Sequence, residues 1–466
     1  MKNFLAAIFT LLLFSSTSFA HPIPLRGVVE GFYGTPWTNE QRADLMSFCR
    51  QYNLNAYIYA PKDDPYHREK WRTPYPAEKI SELKNLVDVA KTNGVRFIFA
   101  ISPGLDLNYT GKKADEDLKF LLRKIDAVYN IGVRNFAIFF DDLKDDKGNH
   151  HEDGKKQAKF LNNLQKKLSN IYGDVEPLIT VPTEYYRLDM VNGRGKVKPY
   201  TEDFANTLNK NIVVLYTGDG VVCEGISEQD FQAACKIFNR DLGIWWNYPV
   251  NDYSITEGGN RNAKLALGAI ENLPTQNVQA IFFNPMSQYQ LSKISLATGA
   301  EYANAPEIYN AEISWDKNIE RQYGRVADSM KIFALHSRHM ENSWAKVGAA
   351  DAPDFENLAQ VAISLTGRNY SYDFSELSKM VEEMEDAADI LLKNLTPEYL
   401  KECKPQLEQF KRIAQADKLA IKSLQNKKLD PQLKILRAEI AKYEKTAILS
   451  EKAALKFIDD TIKLLN

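Results

Sequence analysis

Cysteine is scarce in this 466-residue chain, and so is any excess of charge. The four cysteines, Cys49, Cys223, Cys235 and Cys403, form no CxxC pair, so a cysteine-built metal site or redox motif has no basis. Their scatter through apolar or helical stretches reads as buried thiols, and spacing alone assigns no disulfide. With 59 Lys and Arg against 61 Asp and Glu, the formal net charge is −2. That balance gives no electrostatic reason to expect nucleic acid or an anionic membrane as a partner. No GxGxxG or GxxxxGK[ST] sequence opens a helix, which leaves nucleotide binding without support. Beyond the N-terminus no apolar run is long enough to span a bilayer.

The N-terminus itself carries a targeting pattern. Lys2 precedes an apolar run from Phe4 to Phe14, and Ser18-Phe19-Ala20 offers small residues at the two positions that a signal peptidase reads. Cleavage after Ala20 is expected, giving an exported soluble protein, periplasmic or secreted. Hydrophobic residues at 44% and charged residues at 26% are an ordinary globular balance. Aromatics reach 11%; most read as core, although several fall near strand ends where rings pack well against sugar faces.

From Arg26 to about Ala300, short apolar runs alternate with amphipathic stretches. Strands are predicted at Gly27–Tyr33, Leu54–Ala60, Val95–Ile101, Asn135–Phe140, Leu178–Val181, Ile212–Tyr216, Leu242–Trp246 and Val278–Phe283. Helices are predicted at Asn39–Tyr52, Ala77–Thr92, Asp115–Tyr129, Gly154–Ile171, Ser227–Phe238 and Ser287–Thr298. Eight such strands in alternation with helices favour a closed (β/α)8 barrel of the TIM type over an open doubly wound sheet. After about Ala305 the sequence becomes rich in Lys, Glu, Leu, Ala and Ile, with apolar stripes around Ile319–Met340, Phe374–Leu395 and Pro397–Leu424. Leu433, Leu436, Ile440, Tyr443 and Ala447 recur at helical spacing. These stripes read as the packing faces of a C-terminal α-helical bundle, and nothing in them looks catalytic. The expected division is a leader over 1–20, a catalytic domain over 21–304 and a helical domain over 305–466.

A barrel enzyme gathers its chemistry at the C-terminal strand ends. The fourth run ends Phe139-Phe140-Asp141-Asp142, two carboxylates where a buried strand opens to solvent. Successive strand residues face opposite ways, so both can serve one pocket only if the chain bends there. Mutual repulsion and unequal burial would then leave one acid protonated and the other ionised. On its own the pair could equally begin a solvated loop or cap a helix. Other strand ends add Glu30-Gly31-Phe32-Tyr33-Gly34, Pro61-Lys62, Pro182-Thr183-Glu184-Tyr185, Thr217-Gly218-Asp219-Gly220-Val221, Trp245-Trp246-Asn247 with Asp252-Tyr253, and Asn284-Pro285. Amide, hydroxyl, carboxylate and indole groups in that mixture suit a neutral, hydroxyl-rich ligand. His150 and His151 lie in an acidic stretch, Lys144–Lys156, which reads as a solvated loop rather than a metal site.

The segments GVVEGFYGTPW, YAPKDDPYHREKWR, FAIFFDD, PTEY, TGDGVV, WWNYPVNDY and NPM, in this order, resemble glycoside hydrolase family 84. That family contains bacterial β-N-acetylglucosaminidases related to eukaryotic O-GlcNAcase. The likeness covers roughly Arg26 to Ala300, and the tail is similar to the family's post-catalytic helical domain. It implies a retaining exo-β-N-acetylglucosaminidase acting on β-linked GlcNAc of glycans or glycoproteins, without a cofactor or metal. The substrate's own acetamido oxygen is the nucleophile, an exception to the usual two-carboxylate scheme. By the same resemblance Asp141 polarises the acetamido N–H and Asp142 is the general acid and then base. Tyr185 donates to the acetamido oxygen, Trp245 walls the methyl pocket, and Thr217 and Val221 lie beside it. Asn247 hydrogen-bonds near the reacting centre, and Asp252 holds the 4- and 6-hydroxyls. Asn284, Lys62 and the Gly31 backbone contact the 3- and 4-hydroxyls, with Tyr33 and Tyr253 lining the pocket.

Some departures stand out. Barrel-like sequence begins within a few residues of the predicted cleavage point, whereas many members carry a small domain first, and no further module is expected after the helices. Asp219 occupies a position that often holds proline. Two rival readings remain: an endo-acting hyaluronidase or chitinase-like enzyme, and a catalytically silent glycan-binding barrel.

Overall fold

A computed structural model describes residues 21–143, 150–256 and 259–466. The expected leader over 1–20 lies outside the described residues. The first part alternates β1 (Leu25–Glu30), α1 (Asn39–Gln51), β2 (Ala56–Tyr59), α2 (Ala77–Thr92), β3 (Arg96–Ile101), α3 (Gly111–Tyr129), β4 (Asn135–Phe139) and α4 (Gly154–Tyr172). It continues through β5 (Ile179–Val181), α5 (Arg187–Met190), α6 (Pro199–Thr207), β6 (Val213–Tyr216), α7 (Glu228–Phe238), β7 (Gly243–Trp246), β8 (Ala280–Phe283) and α8 (Tyr289–Asn304). The strands are parallel and close into a barrel, with Leu25–Val28 of β1 in register with Ala280–Phe283 of β8. The eight-strand expectation holds; most boundaries coincide or are trimmed by one to three residues, while β1 begins two residues before the expected Gly27.

Parallel strands covered by helices are buried on both faces, which is why their sequences read as continuous apolar runs. Ala137 and Phe139 of β4 point into the barrel, while Phe136 and Ile138 pack under the helices. The inner layer also takes Val29, Ile58, Ala60, Leu215, Trp245 and Phe282. Outside it, Glu30 is fully buried and accepts a forked pair of bonds from Arg42 at 2.8 and 2.7 Å, so this motif residue is a structural anchor. Thr38 and Gln41 form a reciprocal capping box that starts α1 directly after the rim segment from Gly31 to Trp37.

The second part is helical: α9 (Ala311–Tyr323), α10 (Ala327–Leu335), α11 (Pro353–Gly367), α12 (Ser375–Asn394), α13 (Pro397–Gln425), α14 (Pro431–Tyr443) and α15 (Ala454–Leu465). It packs on the barrel partly through α13 against α8, where Glu402 accepts the N–H groups of Gln290 and Leu291, both at 3.1 Å. Two expectations need correction. The stripe expected over Ile319–Met340 is broken at Gly324, whose φ of 51° ends α9, and Met340 lies in a small hairpin of β9 (Met340–Glu341) and β10 (Lys346–Val347). In the last stripe Leu433 and Ile440 are buried, but Tyr443 is exposed beneath the Arg412 guanidinium, and Ala447 lies past the helix end. All four cysteines are free thiols; Cys49, Cys235 and Cys403 are buried and Cys223 is half-buried.

Candidate active site

Strand alternation carries outward from the barrel core to its rim. Ala56, Ile58 and Ala60 line the interior, and Lys62, in the turn that follows, lines the pocket. By the same count Leu215 leads to Thr217, Trp245 to Asn247, and Phe282 to Asn284. In β4 the inward series Ala137, Phe139 leads to Asp141, and Asp142 would face away. The chain turns there: Asp142 has φ of 56°, in the left-handed region that non-glycine residues rarely adopt. That turn brings the second carboxylate back over the same pocket.

The pocket is about 390 Å³ and is lined by all thirteen residues singled out from sequence, from Gly31 to Asn284. Asp141 lies on its floor, 7% exposed, with one carboxylate oxygen, Oδ2, held by the Lys62 ammonium. Its other oxygen, Oδ1, is buried with no hydrogen-bond partner among the described residues. Burial works to raise the Asp141 carboxyl, but the Lys62 and Arg68 cations outweigh it and hold it below the ordinary carboxylate range. Burial likewise disfavours the charged Lys62, yet Asp141 and Asp142 more than compensate, so its ammonium is retained. Lys62 Nζ is also 3.6 Å from Asp142 Oδ2.

Asp142 occupies the open side. The Tyr33 hydroxyl donates to its Oδ2 at 2.7 Å, and the Tyr185 hydroxyl reaches Oδ1 at 3.5 Å. The opposite wall is a relay of amides. Asn247 Oδ1 accepts from Trp245 Nε1 at 2.8 Å and from Asn284 Nδ2 at 2.9 Å, while its Nδ2 donates to the Val221 carbonyl at 2.8 Å. Asn284 Oδ1 accepts the Gly31 N–H at 3.3 Å. A Cβ on Gly31 would lie 2.4 Å from the Trp245 ring, so the indole fits against backbone only because this residue is glycine. Asp252 accepts the Tyr33 N–H at 2.6 Å, and burial raises its carboxyl.

Several lining residues were missed from sequence. Trp344, at the tip of the β9–β10 hairpin, is 57% exposed and packs on Tyr253 with ring centroids 5.4 Å apart. A region read as purely structural therefore supplies part of the mouth. Arg261 and Ile255 come from the irregular β7–β8 connection, and Arg261 donates to the Asp252 carbonyl at 2.7 Å. None of the three ends a strand, so alternation gave no signal for them. His150 is not solvated as expected: Nε2 lies 3.1 Å from Glu184 Oε1, and the ring packs edge-on against Tyr200. Residues 144–149 of that stretch lie outside the described residues. Asp219 forms a forked pair with Arg187 at 2.5 and 2.7 Å that ties the β6 loop to α5.

This arrangement offers a buried anion with one free acceptor, beside a more accessible carboxyl contacted by two phenols. The free acceptor suits a donor such as an amide N–H, and the open carboxyl can exchange a proton with a leaving group or water.

Comparison with known proteins gives a consistent picture. The family profile described as beta-N-acetylglucosaminidase matches residues 26–335, and one described as hyaluronidase post-catalytic domain-like matches residues 364–458. Protein O-GlcNAcase of Rattus norvegicus and that of Mus musculus are each 33% identical over 286 residues, 60% of this chain. The chain spans only 30% of the length of those relatives. The solved structure of CpGH84B superposes with a TM-score of 0.85 at 36% identity, covering 94% of this chain and 77% of that one. A mutant of Thermobaculum terrenum O-GlcNAc hydrolase superposes with a TM-score of 0.79 at 28% identity, covering 95% and 94%.

Proposed function

This chain belongs to glycoside hydrolase family 84, the β-N-acetylglucosaminidases, and from that premise we propose that it is a retaining exo-β-N-acetylglucosaminidase, O-GlcNAcase-like, removing terminal β-linked GlcNAc from glycoproteins or glycans. The observation that carries the mechanism is Asp141 Oδ1, a buried acceptor left open while Lys62 holds the other oxygen. Burying an unpaired acceptor is costly, so a ligand donor placed there is strongly favoured. The 2-acetamido N–H supplies that donor. With the amide held by Asp141, its carbonyl oxygen attacks the anomeric carbon while Asp142 gives its proton to the leaving oxygen. The oxazoline that forms is opened by water as Asp142 takes a proton back, with net retention. Tyr185 donates to the acetamido oxygen, and Trp245, Thr217 and Val221 enclose the methyl group. Asp252, Asn284, Lys62 and the Gly31 backbone hold the sugar hydroxyls, with Tyr33 and Tyr253 on the flanks. Asn247 acts by fixing the Trp245 ring and the Val221 loop, which its hydrogen bonds support. No cofactor enters these steps.

The same reading divides the chain into a catalytic domain to residue 304 and a helical domain from 305, preceded by a cleaved leader that exports it. Among the described residues no helix is long and apolar enough to cross a membrane. Purified protein should release single GlcNAc from a chromogenic β-GlcNAc substrate, leave hyaluronan chains intact, and be inhibited potently by a thiazoline mimic of the oxazoline. Fragmentation of hyaluronan would point to the endo-acting alternative, no turnover to a silent glycan-binding barrel, and indifference to the thiazoline to an enzyme nucleophile.

A further inference from the structure

The loop after β2 sends two cations to two consecutive aspartates: Lys62 and Arg68 together lower the Asp141 carboxyl, and Arg68 also reaches the Asp142 backbone. Lys62 holds the Asp141 carboxylate; Arg68, six residues on, is 9% exposed and donates through Nη2 to the Asp142 backbone carbonyl at 3.0 Å. A bond from a guanidinium to a peptide oxygen fixes the peptide plane and so constrains the torsions of the residue that owns it. That residue is Asp142, held at φ of 56°, the conformation that returns its carboxyl to the pocket instead of pointing it behind the strand. The anchor for Arg68 is firm. Its neighbour His67 is fully buried, with Nδ1 2.9 Å from the Ala100 carbonyl, Nε2 3.2 Å from Ser102 Oγ, and its own carbonyl accepting the Ser102 N–H at 2.9 Å. The backbone leading into Arg68 is thus tied through His67 to the end of β3, while the guanidinium grips the chain just after β4.

We infer that Arg68 is a positioning residue for proton transfer, holding the Asp142 peptide in its left-handed turn so that the carboxyl meets the leaving-group oxygen. This rests on Asp142 being the general acid. Lysine at 68 keeps the charge but lacks the planar fork, and methionine keeps only the stem. Loss of proton transfer is felt where the leaving group needs a proton and hardly at all where it departs as a stable anion. Mere damage to the fold lowers turnover for every leaving group alike.

The test is kcat/KM across aryl β-GlcNAc substrates of graded leaving-group acidity for the native protein, Arg68→Lys, Arg68→Met and Asp142→Asn, with Tm measured for each. Arg68→Met should lose about 10- to 100-fold on the poorest leaving group, the size of one lost hydrogen bond to a charged group, and little on the best. Arg68→Lys should recover part of that loss, and Asp142→Asn should show the same slope more steeply. An equal loss across the series for Arg68→Met, or none, overturns the positioning role while leaving Asp142 as the acid. If Arg68→Met does not fold, Arg68→Lys decides by the same slope. A flat series for Asp142→Asn overturns the acid assignment itself, and the Arg68 role with it.

Discussion

Asp141 and Asp142 are covalent neighbours in unlike surroundings. The Asp141 side chain is 9% exposed and faces an ammonium; the Asp142 side chain is 37% exposed and is contacted by phenols. The closed side joins Asp141, just past the end of β4, to Lys62 in the turn after β2, and the cation there keeps the carboxylate ionised. On the open side a backbone turn presents a carboxyl to the same pocket that the Tyr253–Trp344 pair lines. In the proposed mechanism burial and counter-charge, rather than chemistry of their own, give two identical side chains separate tasks.

Substitutions can break or sharpen that contrast. The largest effect is expected on the open side: Asp142→Asn should lower kcat/KM by about 10²–10⁴-fold on glycosides with poor leaving groups and far less on activated aryl glycosides. On the closed side Asp141→Asn should cost about 10²–10³-fold on both kinds of substrate, because the proposed intramolecular attack precedes departure of either leaving group. Steady-state rates on one poor and one activated substrate distinguish the two patterns.

Lys62→Met should shift the pH profile. Lys62 lowers the Asp141 pKa, so removing it raises that pKa, and the carboxylate is then lost at higher pH. The acid limb of kcat/KM should move up by about 1–3 pH units, the usual reach of one close opposite charge. An unmoved limb would mean that Lys62 does not set the Asp141 charge. Tyr33→Phe removes one bond to Asp142 and should cost about 10-fold. Smallest of all, Trp344→Ala should raise KM by about 2- to 10-fold for substrates bulky beyond the scissile bond, the size of one aromatic contact. Release of GlcNAc from a small aryl glycoside should change little.

The two sides also differ in how far the sequence reveals them. The closed side was readable because a buried parallel strand is a continuous apolar run, and the residue that ends it is conspicuous. Asp141, Lys62, Trp245 and Asn284 stood out for that reason. The left-handed turn at Asp142 was foreseen only as a bend on which a shared pocket depends, because an aspartate signals it far more weakly than a glycine would. Arg68 was visible within a motif but without a role, since its partner is a backbone carbonyl. Trp344 and Arg261 reach the pocket from segments whose path is set by long-range packing, and local periodicity is silent about that. In the helical region, spacing found the long helices α12 and α13 but ran through the break at Gly324 and past the end of α14.

If the closed side orients the substrate's own amide as nucleophile, the basicity of that amide oxygen must govern the rate. Replacing the 2-acetamido group of an aryl β-GlcNAc by its mono-, di- and trifluoro analogues weakens the oxygen stepwise with little change in shape. The logarithm of kcat/KM should fall steadily along that series in the native protein; a rate unchanged from acetyl to trifluoroacetyl would contradict attack by the substrate and return the nucleophile to the enzyme.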